Sequence, residues 1–414
     1  MSITERAAAA RSAQRALGGA DGATRTRALE RLAELLEERT DALLAANRRD
    51  LEAADAEGLD APLRKRLGLG ADKLRTLIAG VRALAATSDP VGATQRATEL
   101  DDGLILTQVS SPLGVLLIIF ESRPDAVVQI GSLALRSGNA VLLKGGREAA
   151  HSNAALVACL RDALSDVGLD PDAVVGVAGR AEVAELLALD HLIDLVIPRG
   201  SGALVRHIQE STRIPVLGHA EGICHLVIDA AADPAMAARL AVDGVCDYPA
   251  ACNATETILV HESFLPQFQT VRDALLAQDV RIVEPSSEPD WRTEYGDLVV
   301  NVRVVGSVDE AIDHVHRYGS GHTESIVTED AAVAERFLRL VDSASVFHNA
   351  STRFADGYRY GLGAEVGIAT GRIHARGPVG VDGLLTTRWL LRGTGQVASE
   401  YSQGIRSFTW RSVT

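Results

Sequence analysis

The chain has 414 residues, enough for two or three domains of ordinary size. Its formal net charge of −14 argues against a nucleic-acid groove, which needs a clustered basic surface. The four cysteines form no Cys-x-x-Cys pair and no zinc-type Cys/His spacing, so neither a disulfide scaffold nor a metal site is expected, and a reducing cytoplasm is the natural compartment. Aromatic residues make up 4%, which leaves the core to Ala, Val, Leu and Ile. The apolar run Val115–Phe120 is far short of the ~20 residues a membrane helix needs, so no membrane partner is expected.

Residues 1–90 read as amphipathic helices, with Ala and Leu alternating with charge at helical spacing. Asp102-Gly103 then sits between two strand-like arms, the strongest short hairpin signal, and such a hairpin can pair with another subunit. From residue 113 to about 230, short apolar runs alternate with helices. Strands are predicted at 114–120, 140–144, 173–177, 192–197, 215–218 and 224–229. Continuous apolar strands separated by helices indicate a parallel sheet covered on both faces, a Rossmann-like α/β arrangement. The alternation resumes after a loop at 247–254, giving a second α/β domain. The tail from 385 carries one strand-like stretch, Ser407-Phe-Thr-Trp.

No Gly-x-Gly-x-x-Gly follows the first sheet strand. Two other features can meet an anionic cofactor. Lys144-Gly145-Gly146-Arg147 lies at the carboxyl end of a buried strand, where open α/β sheets bind ligands. Arg199-Gly200-Ser201-Gly202 opens a helix, whose first N–H groups and dipole favour negative charge. Cys252 sits on a loop of small residues just before a strand rich in β-branched residues, a setting that can present its sulfur to a cleft, although a buried packing cysteine is the commoner case for such a residue. His219, His225, His322, His348 and His374 are scattered, and each is a candidate acid or base, although a structural role is the commoner one.

Seven motifs, in order, resemble one family: Ser111-Pro-Leu-Gly-Val, Glu121-Ser-Arg-Pro-Asp, Leu143-Lys-Gly-Gly, Ile197-Pro-Arg-Gly, Cys252-Asn-Ala-Thr-Glu-Thr, Asn349-Ala-Ser-Thr-Arg-Phe and His374-Ala-Arg-Gly-Pro-Val-Gly. They are similar to those of the γ-glutamyl phosphate reductases, a branch of the aldehyde dehydrogenase superfamily. The resemblance implies a cofactor-binding domain at 1–94 and 113–244, and an oligomerisation hairpin and tail at 95–112 and 385–414. A catalytic domain then spans 245–384. It implies NADPH, the substrate L-glutamyl 5-phosphate, a homo-oligomer, and association with the kinase that makes the acyl phosphate. Cys252 takes the nucleophile's position, with Asn253 a second catalytic residue through an oxyanion contact. Lys144, Arg147, Gly200, Ser201 and Glu294 fall at cofactor positions. Ser122, Arg123, Arg199 and Arg353 are candidates for the substrate.

Two departures separate the chain from the hydrolytic aldehyde dehydrogenases. Ser122 stands near their oxyanion asparagine. Their deacylating glutamate is missing: Glu221 falls off its position and His219 falls closer to it. A reductase must not hydrolyse its thioester, so the loss is consistent. The alternatives are an acylating or hydrolytic NAD(P)-dependent aldehyde dehydrogenase, and a nucleotide-binding protein without activity.

Overall fold

The computed structural model describes residues 1–219, 221–284 and 288–413, and Ala220, Pro285, Ser286, Ser287 and Thr414 lie outside the described residues. The N-terminal region forms α1 (Ile3–Gly19), α2 (Gly22–Glu38), α3 (Thr40–Glu57), α4 (Ala61–Leu67) and α5 (Ala71–Ala85). Ser2 starts the first of these with a capping box: its Oγ accepts from Glu5 N at 3.1 Å, and Ser2 N donates to Glu5 Oε2 at 2.8 Å. The expected hairpin follows as β1 (Thr94–Asp101) and β2 (Leu104–Pro112), turned at Asp102-Gly103.

The chain then runs β3 (Val115–Phe120), α6 (Asp125–Arg136), β4 (Ala140–Lys144), α7 (Ala150–Asp166), β5 (Val174–Gly176), α8 (Arg180–Leu186), β6 (Leu195–Arg199) and α9 (Gly202–Ser211). These strands form a parallel sheet in the order β5-β4-β3-β6. Every residue of β3 is buried, as a strand covered on both faces requires. Residues 215–218, expected as a strand, contribute only a parallel bridge between Val196 and Val216.

The next strand, β7 (Cys224–Ile228), changes sheets, which corrects its expected place in the first one. It is followed by α10 (Pro234–Cys246), β8 (Thr255–His261), α11 (Leu265–Leu276), β9 (Arg281–Val283), β10 (Val299–Val305), α12 (Val308–Tyr318), β11 (Thr323–Val327), α13 (Ala331–Leu340) and β12 (Ser345–His348). The second sheet is parallel, in the order β12-β11-β7-β8-β10-β9. Two parallel sheets built from βα units carry the same hydrophobic pattern, so local sequence does not show where one ends.

After a small hairpin, β13 (Gly367–Ala369) with β14 (Gly377–Val379), the tail returns to the first hairpin. Its strands are β15 (Leu385–Arg392) and, after α14 (Ala398–Ser402), β16 (Arg411–Ser412). Together they give the four-stranded sheet β15-β2-β1-β16. The tail strand expected at 407–410 is therefore displaced to Arg411–Ser412, and Trp410 just before it has φ +46°. Among the described residues, no helix is long and apolar enough to cross a membrane.

Two titrating groups in the second sheet region pull stability in opposite directions. Burial raises the Glu256 carboxyl to about 7, opposed by the N–H groups of Tyr295 and Gly296. Burial, and next the charge of His225, lower His314 to about 3. Unfolded values are about 4.3 and about 6.5. Stability from Glu256 therefore falls as pH rises from about 4.3 to 7, whereas stability from His314 grows as pH rises from about 3 to 6.5. In Glu256→Gln the falling contribution disappears. The variant matches wild type near pH 4 and exceeds it by up to about 3 kcal/mol above pH 7.5, as read from urea midpoints across that range. An equal gain at both ends of the range refutes the assignment.

Candidate active site

The N-terminal edge of the second sheet gathers three side chains. Three of its neighbouring parallel strands, β11, β7 and β8, are preceded by His322, His219 and Cys252 respectively. One ligand atom from each, the Cys252 sulfur and an imidazole nitrogen of each histidine, lies within 4.8 Å of the others. The two rings meet edge to face at 4.9 Å between centroids. His219 Nδ1 donates to the Ile368 carbonyl at 2.8 Å. His322 is buried, its Nδ1 stands 2.8 Å from Thr323 Oγ1, and its Nε2 has no partner.

Cys252 is half-buried on tight turns in which Ala251 N bonds Tyr248 O and Ala254 N bonds Ala251 O. Its backbone is held from behind. The Cys224 thiol donates to Cys252 O at 3.3 Å, and burial pushes that thiol well above its ordinary range, so it stays protonated. Gly222 is required for this approach: a Cβ there would lie 2.2 Å from Cys252 O. Glu294, from the expected cofactor set, accepts from Gly222 N at 3.1 Å and so braces the same loop.

Two of the expected site residues are otherwise engaged. Asn253 Nδ2 donates to Ala355 O at 2.9 Å and Arg353 O at 3.4 Å, which uses both its protons. Its side chain is thus no oxyanion donor, a correction to the expected role, and the backbone N–H of Cys252 remains as the candidate for that role. Ser122, at φ +37°, gives its hydroxyl proton to Glu148 Oε1 at 2.5 Å, with its backbone N–H on the same oxygen at 2.8 Å. Ser122 therefore locks the loop after β3 instead of facing substrate. Burial raises Glu148, but the bonds from Ser122, the N–H of Glu148 itself and the charge of Lys144 together hold the carboxyl below its usual range.

Arg199 lies within electrostatic reach of Cys252. Arg199 ends β6, with its Nη1 donating to Glu365 O at 3.4 Å. Burial lowers Arg199 and raises Glu365, and each opposes the shift of the other. The charge of Arg123 acts on both, which puts it in the same group. Arg353 instead donates from Nε to Asp247 Oδ2 at 3.2 Å, where Arg359 joins it at 3.1 Å. Glu221 is paired with Arg206 at 2.5 Å.

Beside the first sheet lies a cavity of about 700 Å3, lined among others by Phe120, Gly145, Gly146, Arg147, Asn153 and Val175. Its apolar walls and glycine loop suit a nucleoside. A Cβ at Gly146 would lie 1.9 Å from Glu148 Oε1, so a side chain there would push that carboxylate off Ser122. Lys144 precedes this loop, with its Nζ donating to Gly145 O at 2.6 Å, and burial lowers its ammonium. Arg147 stands in solvent, tied only loosely to Glu57 at 3.2 Å. The second anion turn is already partnered: Ser201 caps α9 through Leu204 N, and Ser201 N donates to Glu121 Oε2 at 3.3 Å. Gly200 and Ser201 thus lie at the end of β6, two strands from the Gly145-Gly146 loop.

His322, one of the scattered histidines, comes to lie beside Cys252. The available signal was its position directly before a strand of the cysteine's own sheet.

Residues 1–299 match the family model described as aldehyde dehydrogenase family. A γ-glutamyl phosphate reductase from Cyanothece sp. (strain PCC 7425) is 51% identical over 426 residues, covering 100% of this chain and 98% of that protein. One from Synechococcus sp. (strain WH7803) is 53% identical over 424 residues, covering 100% and 98%. The crystal structure of γ-glutamyl phosphate reductase from Thermotoga maritima superposes with a TM-score of 0.93 at 37% identity, over 96% of this chain and 100% of that one. With motif order and fold in agreement, the chain belongs to the aldehyde dehydrogenase family and, within it, to the γ-glutamyl phosphate reductases.

Proposed function

We propose that the chain reduces L-glutamyl 5-phosphate to L-glutamate 5-semialdehyde and phosphate, with NADPH as reductant, in proline biosynthesis. The observation that carries this reading is the Cys252 thiol held against two imidazoles. An imidazole nitrogen takes the thiol proton. The thiolate attacks the acyl carbon, the C–O bond to phosphate breaks, and a thioester forms on Cys252. A nicotinamide cofactor, held by the residues assigned below, would supply the hydride that reduces this carbonyl. The tetrahedral alkoxide, held by the Cys252 backbone N–H, then collapses, releasing the semialdehyde and the thiolate. Arg123, Arg199 and Arg353 are the cations for the phosphate and the α-carboxylate. His219 beside the sulfur, at the place where the hydrolytic relatives carry their glutamate, supports a reductase over a hydrolase.

In the same reading, Lys144 and Arg147 face the adenosine end of NADPH, Gly200 and Ser201 its diphosphate, and Glu294 its nicotinamide ribose. A phosphate on the ribose meets Arg147 through charge-assisted bonds worth about 1.5–3 kcal/mol, or roughly 10- to 150-fold. Arg147→Glu therefore lowers kcat/KM for NADPH by about that factor while NADH use changes little, which steady-state kinetics with both cofactors checks. Equal losses with both cofactors overturn the placement.

The exposed Trp389 and Leu391 on β15 support pairing of its sheet with a second copy. The acyl phosphate must come from a kinase acting on the same carboxylate, and direct hand-over from that kinase, in a shared cytoplasm, belongs to this reading. The deciding assay runs the reaction backwards: NADP+ reduction with glutamate semialdehyde requires phosphate. Reduction that proceeds equally without phosphate indicates a hydrolytic enzyme instead.

A further inference from the structure

The groups around Cys252 also form a ligand set. We propose that Cys252, His219 and His322 bind a thiophilic divalent cation, zinc foremost, and that the ion holds the thiolate and blocks acyl transfer. The binding stands on the geometry alone, and only the blocking rests on the function proposed above.

A thiolate and two imidazoles suit zinc, and three protein ligands leave a fourth, open position for water. Bonds of about 2.0–2.3 Å set tetrahedral ligand atoms roughly 3.3–3.8 Å apart. The three atoms here lie within 4.8 Å, so the set closes by about an ångström. Rotation of the Cys252 side chain supplies that movement, while the turns and the bond from Cys224 keep its backbone in place.

Each histidine has an outer partner on one ring nitrogen. His219 Nδ1 faces the Ile368 carbonyl at 2.8 Å, and a carbonyl only accepts, so the proton is on Nδ1 and Nε2 carries the lone pair. His322 Nδ1 is 2.8 Å from Thr323 Oγ1. Outer partners of this kind fix ring orientation in metal sites. The independent observation is His322 itself: 1% exposed, with Nε2 lacking any partner. A buried nitrogen of this kind calls for an ion or water. The Cys224 sulfur stands 3.8 Å from His322 Nδ1, but its thiol donates to Cys252 O and it lies outside the group of three. Binding exchanges the Cys252 thiol proton for the metal and changes no oxidation state: Cys–SH plus M2+ gives Cys–S–M+ plus H+.

The test uses the full chain, stripped with chelator, titrated with Co2+ and then Zn2+. One Co2+ per chain produces a sulfur-to-cobalt charge-transfer band that Zn2+ displaces. The band vanishes in Cys252→Ser and persists in Cys224→Ser. Zinc affinity drops by about 100-fold or more in His219→Ala, His322→Ala and the volume-conserving His322→Gln, each checked for a wild-type circular dichroism spectrum. Zinc then inhibits NADPH-dependent reduction, and chelator restores it. A missing band, or a band that survives Cys252→Ser, overturns the site. Unchanged zinc affinity in both His322 variants does so too. A band in wild type together with full turnover in Cys252→Ser keeps the site and removes Cys252 as nucleophile. No band together with an inactive Cys252→Ser does the reverse.

Discussion

Cys252→Ser abolishes NADPH-dependent reduction of glutamyl phosphate, by about 10^4-fold or more, and leaves the melting temperature close to wild type. A serine hydroxyl at neutral pH is a far weaker nucleophile than a thiol that imidazoles can deprotonate. The fold is spared because the exchange is nearly isosteric, and because the bond from Cys224 goes to the backbone oxygen of residue 252, which the substitution leaves in place. Steady-state NADPH oxidation and thermal melts measure the two halves. Turnover within tenfold of wild type sinks the thioester route.

The largest stability loss is expected from Glu324→Ala. Glu324 and His225 are both fully buried and face each other across β11 and β7. The carboxylate accepts from His225 N and Nδ1, each at 2.8 Å, and from Ser343 Oγ at 3.2 Å. Truncation strands three donors in the interior and costs about 3–5 kcal/mol. Glu324→Gln keeps an acceptor and costs less than half as much. Denaturant midpoints check both, and a loss under about 1 kcal/mol for the alanine variant refutes the account. Because β7 and β11 also follow His219 and His322, the alanine variant loses activity at temperatures where wild type is unaffected.

The elements legible in the sequence are those whose signal is local. The buried strand at 114–120, the Asp102-Gly103 turn and the amphipathic first 90 residues needed only periodicity and turn chemistry. β15 was hidden because most of its residues face solvent, so no apolar run or clean alternation marks it. The sheet change at β7 was hidden because it is a matter of which neighbour a strand finds. The site divides the same way. Cys252 was readable from its loop and its motif. The engagement of Asn253 with Ala355, of Ser122 with Glu148 and of Ser201 with Glu121 is tertiary, as is the meeting of His322 with residues about 70 and 100 positions upstream.

β2 has a consequence for how the chain reaches this state. One of its edges pairs with β1, a few residues away, while the other pairs with β15, from Leu385↔Pro112 to Arg392↔Ile105. During synthesis the hairpin closes early, but its second edge stays bare until residues 385–392 emerge. About 270 residues must be made between the two strands before that row of N–H and C=O groups is satisfied. A chain cut short before residue 385 keeps both sheets of the cleft yet carries a permanently open strand edge, and self-association through that edge is its expected fate.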